Sequence, residues 1–316
     1  MLIKVKDLVK RYGDLLALDH LSFEVGAGEI FGLLGPNGSG KTTAINCILS
    51  LLKFDQGQVE LFGQTMSPDQ YALKRDIGVI MQNVAVFDTL TSEENIDYFC
   101  GLYVPDRTLR RGLVKEAIEF VGLQGFEKFR PGKLSGGLLR RLNIACGIAH
   151  QPKLIFMDEP TVAVDPQSRN RILEGIKELN RRGATIVYTS HYMEEVEQIC
   201  SYIMILDKGR AIAAGTKETL KGMIDMGEKN RLEVPFLPQD RLALLREMAG
   251  VASARHSEGF LEVRSHKGVS VLEGLLGFLK EHDLAYGKIY SDQPSLNDVF
   301  LEITGRELRD GANGHV

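Results

Sequence analysis

Polar and apolar residues alternate over residues 2–9, the period of a strand with one face buried. LSFEV at 21–25 repeats that alternation and reads as a second, antiparallel strand. EIFGLLG at 29–35 is instead a continuous apolar run ending in glycine, the pattern of a buried strand that runs into a loop. TTAINCILSLL at 42–52 shifts to helical spacing, and QVELFG at 58–63 and DIGVIMQ at 76–82 return to strand. From about 83 to 150 the spacing is mostly helical, with Thr91 and Glu94 forming a capping-box pair. KLIFMDEP at 153–160 is another buried strand. Asp165 and Pro166 mark the start of a helix with Ile172, Ile176 and Leu179 on its buried face and Gly183 as its stop. ATIVYTSH at 184–191 predicts a strand, and YIMILDKGR at 202–210 a strand and turn. Strands alternating with helices predict an α/β fold, a mainly parallel sheet with helices on its faces.

The style changes after about residue 222. RLEVPF, a helix near 239–249, VASARH, GFLEVR, a helix near 269–282 and AYGKIYS follow in β-α-β-β-α-β order, the ferredoxin-like arrangement. Leu232, Val234 and Phe236 are expected on one strand face, and Leu272, Leu275, Leu276 and Leu279 along a helix. SLNDVFLEIT at 295–304 predicts a last helix with Phe300, Leu301 and Ile303 on its apolar face. The expected division is thus 1–222, with a helical subdomain at about 83–150, then 223–305, then a frayed polar tail at 306–316. The second domain holds no phosphate loop, metal cluster or paired carboxylates, so it is assigned regulation or dimer contact.

A length of 316 residues suits two domains. A net charge of -4 argues against a nucleic-acid binder, which needs a basic surface. Cys47, Cys100, Cys146 and Cys200 lie far apart with no CxxC pair, which fits buried thiols in a reducing cytoplasm. There is no signal-peptide pattern and no run of about 18 apolar residues. The expected location is cytoplasmic, and the membrane is to be reached only by docking on another protein.

The strongest chemical signal is Gly35-Pro36-Asn37-Gly38-Ser39-Gly40-Lys41-Thr42, a match to GxxxxGK[ST] between a strand and a helix. Glycines let backbone N–H groups turn inward around phosphate oxygens, and the helix start favours the same anion. Lys41 adds a positive charge near the β- and γ-phosphates, and the Thr42 hydroxyl is placed to ligate Mg²⁺. Thr43 continues the helix. The second signal is LIFMDE at 154–159, a buried strand with two carboxylates at its C-terminal end, where ligands of open parallel sheets bind. Asp158 is assigned to the metal, and Glu159 to the attacking water as general base. A run ending in Asp-Glu is commonly only a strand terminus; its place downstream of a phosphate loop reverses that. His191 ends the next buried strand, placed to sense a γ-phosphate, although alone it reads as a capping histidine. Gln82 alone is an ordinary polar residue, and Tyr12, after the first strand, offers an aromatic face to adenine or to the core.

In this order the residues resemble the nucleotide-binding subunit of an ATP-binding cassette (ABC) transporter over roughly residues 1–220. Tyr12 fits the adenine-stacking position, GPNGSGKTT the Walker A motif, Gln82 the Q-loop and LIFMDEP Walker B. LSGG at 134–137 fits the family signature, Asp165 the D-loop and His191 the switch histidine. The resemblance implies that two subunits sandwich two ATP molecules head to tail. Ser135, Gly136 and Gly137 of one subunit contact the γ-phosphate held by the other. It implies Mg²⁺ held near Thr42, Gln82 and Asp158, and a separate membrane permease as partner. Leu138 stands where the family has Gln, and Ala163 where its D-loop has Gly, so Ala163 is strained if that backbone needs positive φ. The apolar Leu138, Arg140-Arg141, TVAVDPQSR and PSLNDVFLEITG are similar to the subunits of ABC-2-type exporters. Two rivals remain open here: a soluble ABC ATPase acting on ribosomes or DNA, and a module that binds ATP without hydrolysing it. A single cassette, about 110 residues between the Walker motifs and the acidic balance weigh against the first. Intact Lys41, Asp158, Glu159 and His191 weigh against the second.

Overall fold

The structure, a computed structural model, describes residues 1–304, so the tail expected at 306–316 lies outside the described residues. The chain divides into two units between Thr216 and Lys217.

The first unit opens with β1 (Ile3–Tyr12) and β2 (Leu15–Val25). β3 (Ile30–Leu34) leads into α1 (Lys41–Ile48). β4 (Gln56–Leu61), β5 (Gln64–Thr65), α2 (Tyr71–Lys74) and β6 (Ile77–Ile80) follow. The helical region predicted from 83 to 150 holds α3 (Ser92–Gly101), α4 (Arg107–Val121), a short 3-10 turn at Pro131–Lys133 and α5 (Gly136–Ile148). Next come β7 (Leu154–Asp158), α6 (Pro166–Arg181), β8 (Thr185–Ser190), α7 (Met193–Ile199), β9 (Tyr202–Asp207) and β10 (Arg210–Gly215).

Two sheets result. One is antiparallel, in the order β2-β1-β4-β5, with Ile3 opposite both Val25 and Leu61. The other has the order β10-β9-β3-β8-β7-β6 and is parallel except for β10. Its central strands are dry: Phe31, Leu33, Leu154 and Phe156 are fully buried. Each such side chain contributes roughly 1.5–3 kcal/mol relative to exposure. Ring stacking from Phe23 to Phe31 at 5.0 Å and on to Tyr202 at 6.0 Å runs through this core. The capping box at Thr91 forms as expected, with its hydroxyl accepting from Glu94 N–H and Glu94 accepting from Thr91 N–H.

The second unit contains α8 (Lys217–Lys221), β11 (Lys229–Glu233), α9 (Gln239–Glu247), β12 (Val251–Ser257), β13 (Phe260–Ser265), α10 (Leu272–Glu281), β14 (Ile289–Asp292) and α11 (Leu296–Thr304). Its strand order, β12-β13-β11-β14 and wholly antiparallel, is the ferredoxin-like one. Leu242 and Leu245 of α9 and Leu275 and Leu279 of α10 bury against Leu232 and Val263. Phe236 does not join that face. It is 73% exposed, because β11 ends at Glu233, Pro235 offers no N–H to a ladder, and Leu237 takes the buried place. In α11 the buried residues are Leu296, Val299 and Phe300, whereas Ile303 is exposed.

All four cysteines are free and buried. Burial pushes the Cys47 and Cys100 thiols up to about 11 and Cys146 to about 12, so they stay protonated and unreactive. No helix among the described residues is long and apolar enough to cross a membrane.

Candidate nucleotide site

Backbone geometry builds the phosphate loop. A Cβ at Gly35 would lie 2.2 Å from the Leu206 carbonyl oxygen, so only glycine lets β3 pass there. Gly40 has φ of +110° and caps α1, where a Cβ would meet the Ala17 carbonyl oxygen at 2.7 Å. Between them, Ser39 N–H donates to Pro36 O at 3.1 Å and closes the turn, with Asn37 and Gly38 exposed at its tip. α1 has no acidic residue in its first turn and no side-chain cap, which leaves its N-terminal N–H groups to an anion. The Ser39 hydroxyl is buried and has no partner among the described residues.

Lys41 is only 5% exposed. Its Nζ donates to Gly35 O at 2.8 Å and to Pro36 O at 3.2 Å, and lies 3.2 Å from Glu159 Oε1. Asp158, at the end of β7, accepts from the Thr42 hydroxyl at 2.7 Å and from the Thr189 hydroxyl at 2.6 Å. A threonine hydroxyl and a carboxylate side by side form a hard-oxygen donor set that fits Mg²⁺.

Glu159 stands one residue beyond the strand with φ of +47°, a left-handed conformation that costs of order 1–3 kcal/mol for a non-glycine residue. Its N–H donates to the hydroxyl of Thr189 at 3.0 Å and to its carbonyl at 3.2 Å, which holds it there. Three side chains converge on its carboxylate: Lys41 at Oε1, and at Oε2 both His191 Nδ1 at 3.2 Å and Gln82 Nε2 at 3.4 Å. Burial alone would raise the Glu159 pKa. The close approach of His191 and the Lys41 charge outweigh it, so the carboxyl titrates below its ordinary range.

The structure therefore gathers Lys41, Thr42, Gln82, Asp158, Glu159 and His191 into one cluster. Gln82 reaches Glu159 there rather than the Thr42–Asp158 pair. Tyr12 stands apart at the end of β1, 49% exposed, with Lys10 Nζ 5.2 Å from its ring centre. Ser135 caps α5 and is exposed along with Gly136; no hydrogen bond or ion pair among the described residues joins them to the phosphate loop. Gly137 packs where a Cβ would strike the Ser168 hydroxyl at 2.5 Å. Asp165 caps α6 by accepting from Ser168 N–H, which holds its carboxyl below the usual range. Ala163 has φ of +59°, so alanine does sit in the left-handed region. Leu138 keeps a backbone role: its N–H donates to the Ser135 hydroxyl at 3.3 Å.

Sequence reasoning missed Thr189, which ties Asp158 to Glu159. It named Arg140 only as part of a resemblance and passed over Asn143; from α5 both grip residues 81–85: Arg140 donates to Gln82 O at 2.7 Å, and Asn143 accepts from Ala85 N–H at 3.1 Å. The usable signal was the polarity of Thr185, Thr189 and Ser190 in a strand with every position buried, since buried hydroxyls need partners.

Over 98% of its length the chain is 36% identical to the linearmycin resistance ATP-binding protein of Bacillus subtilis (strain 168), covering all of that relative. The chain belongs to the ABC transporter family, among its ATP-binding subunits. The ABC transporter family profile matches residues 18–162. A daunorubicin resistance ATP-binding protein of Streptomyces coeruleorubidus is 32% identical over 98% of this chain and 96% of its own. Among solved structures, an ATP-binding subunit of an ABC transporter aligns with a TM-score of 0.65 at 26% identity, over 71% of this chain and 93% of that one. A dimeric cassette in a post-hydrolysis state with ADP and Pi gives 0.63 at 28% identity, over 68% of this ABC subunit and 98% of that chain. This ABC subunit is accordingly an ATPase, and ATP is its nucleotide.

Proposed function

We propose that two copies of this ABC subunit close head to tail on two ATP molecules and that hydrolysis drives export through a separate membrane permease. The observation that carries the reading is the convergence of Lys41, Gln82 and His191 on Glu159, beside the Thr42–Asp158 pair. Phosphate binding falls to residues 35–43: the N–H groups of the loop and of α1, with Lys41 exchanging Glu159 for the β- and γ-phosphates. Thr42 and Asp158 would hold Mg²⁺, which when bound neutralises charge on the phosphates. Glu159, freed from Lys41, orients and polarises the attacking water, and His191 holds Glu159 and the γ-phosphate in register. Tyr12 offers its exposed ring to adenine. Ser135 and Gly136, exposed at the start of α5, complete the site of the other copy together with the buried Gly137 behind them, because a helix start binds anions.

The two resistance relatives, and a Nod factor export ATP-binding protein of Burkholderia thailandensis that is 35% identical over 98% of this chain and of its own, favour the outward direction. Phe87, 43% exposed and set among Tyr98 and Phe99 at 4.9 and 5.8 Å, supplies the apolar contact for the permease. That contact would place the subunit at the cytoplasmic face of the membrane. The second unit is assigned regulation or dimer contact. Purified Glu159→Gln protein tests the chemistry: ATP binding stays, while hydrolysis falls by at least about 10²-fold, the usual cost of losing a general base. Near-wild-type turnover would remove Glu159 from the mechanism.

A further inference from the structure

Glu195 lies in α7, four residues past His191, and is only 3% exposed. Its Oε2 accepts three hydroxyls: Tyr188 at 2.7 Å, Thr161 at 2.8 Å and Ser190 at 2.9 Å. Its Oε1 faces Arg169 Nε at 3.3 Å. A carboxylate this deeply buried needs hydrogen-bond or charge partners, since removing such a charge from water is costly; here Oε2 has the hydroxyls and Oε1 the Arg169 ion pair.

The partners come from the separate segments that carry the chemistry. Thr161 is two residues beyond Glu159, in the loop that leaves β7 through the left-handed residue. Ser190 directly precedes His191, and its hydroxyl also accepts Tyr192 N–H at 2.9 Å. Arg169 lies one turn inside the helix capped by Asp165, and its N–H donates to Asp165 O at 2.9 Å. The Arg169 guanidinium also sits 4.6 Å from the Tyr192 ring centre, and the Tyr192 ring lies 4.1 Å from that of His191. One carboxylate thus joins the Glu159 loop, the start of α6 and both neighbours of His191, without touching the phosphate loop.

We infer that Glu195 is a positioning residue for ATP hydrolysis, its two oxygens dividing the work between the Glu159 loop and the Arg169–Tyr192–His191 stack. This rests on the roles proposed above for Glu159 and His191. The division of labour makes the conservative variant informative. In Glu195→Gln the amide oxygen can keep the three hydroxyls, but the amide N–H₂ then faces the Arg169 donor. A catalytic group displaced by a fraction of an ångström slows chemistry without weakening substrate binding.

The experiment measures steady-state ATP hydrolysis and ATP affinity of the full chain for Glu195→Gln, Arg169→Met and the double variant. The expected result is a loss in kcat of roughly tenfold in each single variant, with KM and ATP affinity within about twofold of wild type. The double variant should lose no more than the worse single one, because both break the same link. Arg169 is about one-third exposed, so Arg169→Met carries the test if Glu195→Gln fails to fold. An unchanged kcat in Arg169→Met and in folded Glu195→Gln overturns the inference. So does a kcat loss matched by an equal loss of ATP affinity, or additive losses in the double variant. Glu159→Gln measured alongside separates the two claims: if it abolishes turnover while the Glu195 and Arg169 variants do not, only the positioning role falls. If Glu159→Gln stays active, the assigned chemistry falls with it.

Discussion

At the scale of single residues, the central fact is that Lys41 and Glu159 neutralise each other while both are buried. His191 and Lys41 together hold the Glu159 carboxyl below its ordinary range, against the burial that would raise it. The consequence for stability has a definite sign. A carboxyl whose folded pKa lies below its ordinary 4.5 adds stability that is present above that value and lost as pH falls through the folded one. Lys41→Met should therefore destabilise the nucleotide-free protein most near neutral pH, by up to about 3 kcal/mol. The gap from wild type should narrow below about pH 4. Urea titrations of both proteins at the two pH values check this, and a gap that widens in acid contradicts it. The same residues show what a sequence conceals. The phosphate loop was legible because all its parts are contiguous, from Gly35 to Thr42. Thr189, Arg140 and Glu195 were not, because each acts through a partner 30 or more residues away, or through burial that no local pattern reveals.

At the scale of elements, period alone located β3, β7 and β8, since a strand covered on both faces reads as an uninterrupted apolar run. It failed where a ladder ends for a backbone reason, as at Pro235, which puts Phe236 in water. The left-handed turn at Glu159 was equally invisible, since its cause is the N–H contact to Thr189 on the neighbouring strand. The segment 81–91 is an element of another kind: irregular, yet tied on every side. Asn95 of α3, wholly buried, accepts from Phe87 N–H at 2.7 Å and donates to the carbonyls of Phe87, Leu90 and Thr91. Arg140 and Asn143 hold the other end, next to Gln82. A hydrogen-bonded strap thus runs from the exposed aromatic cluster to the carboxylate of Glu159. Phe87→Asp should abolish coupling to the permease while basal ATPase of the isolated subunit stays within about twofold, as expected for an exposed position. Normal transport in cells with normal protein levels would contradict that assignment.

At the scale of the whole molecule, every residue assigned to nucleotide lies in the first unit, and the second supplies its own ferredoxin-like core. Truncation after residue 222 should leave ATP affinity within about twofold, because no proposed nucleotide contact is removed. It should alter dimer stability or permease coupling instead. A soluble truncated protein with native circular dichroism that no longer binds ATP would show that the second unit takes part in the site. On the proposed reading the site is incomplete within one chain: Ser135 and Gly136 face solvent, with no hydrogen bond or ion pair to the phosphate loop among the described residues. Two-fold pairing is the simplest closed arrangement that brings such surfaces together. Light scattering on full-length Glu159→Gln protein tests this claim most directly. The account predicts a monomer without nucleotide and a dimer with ATP, and a monomer again with ATP when Ser135→Arg is added to block closure. A monomer in Glu159→Gln with saturating ATP, or a dimer untouched by Ser135→Arg, would contradict it.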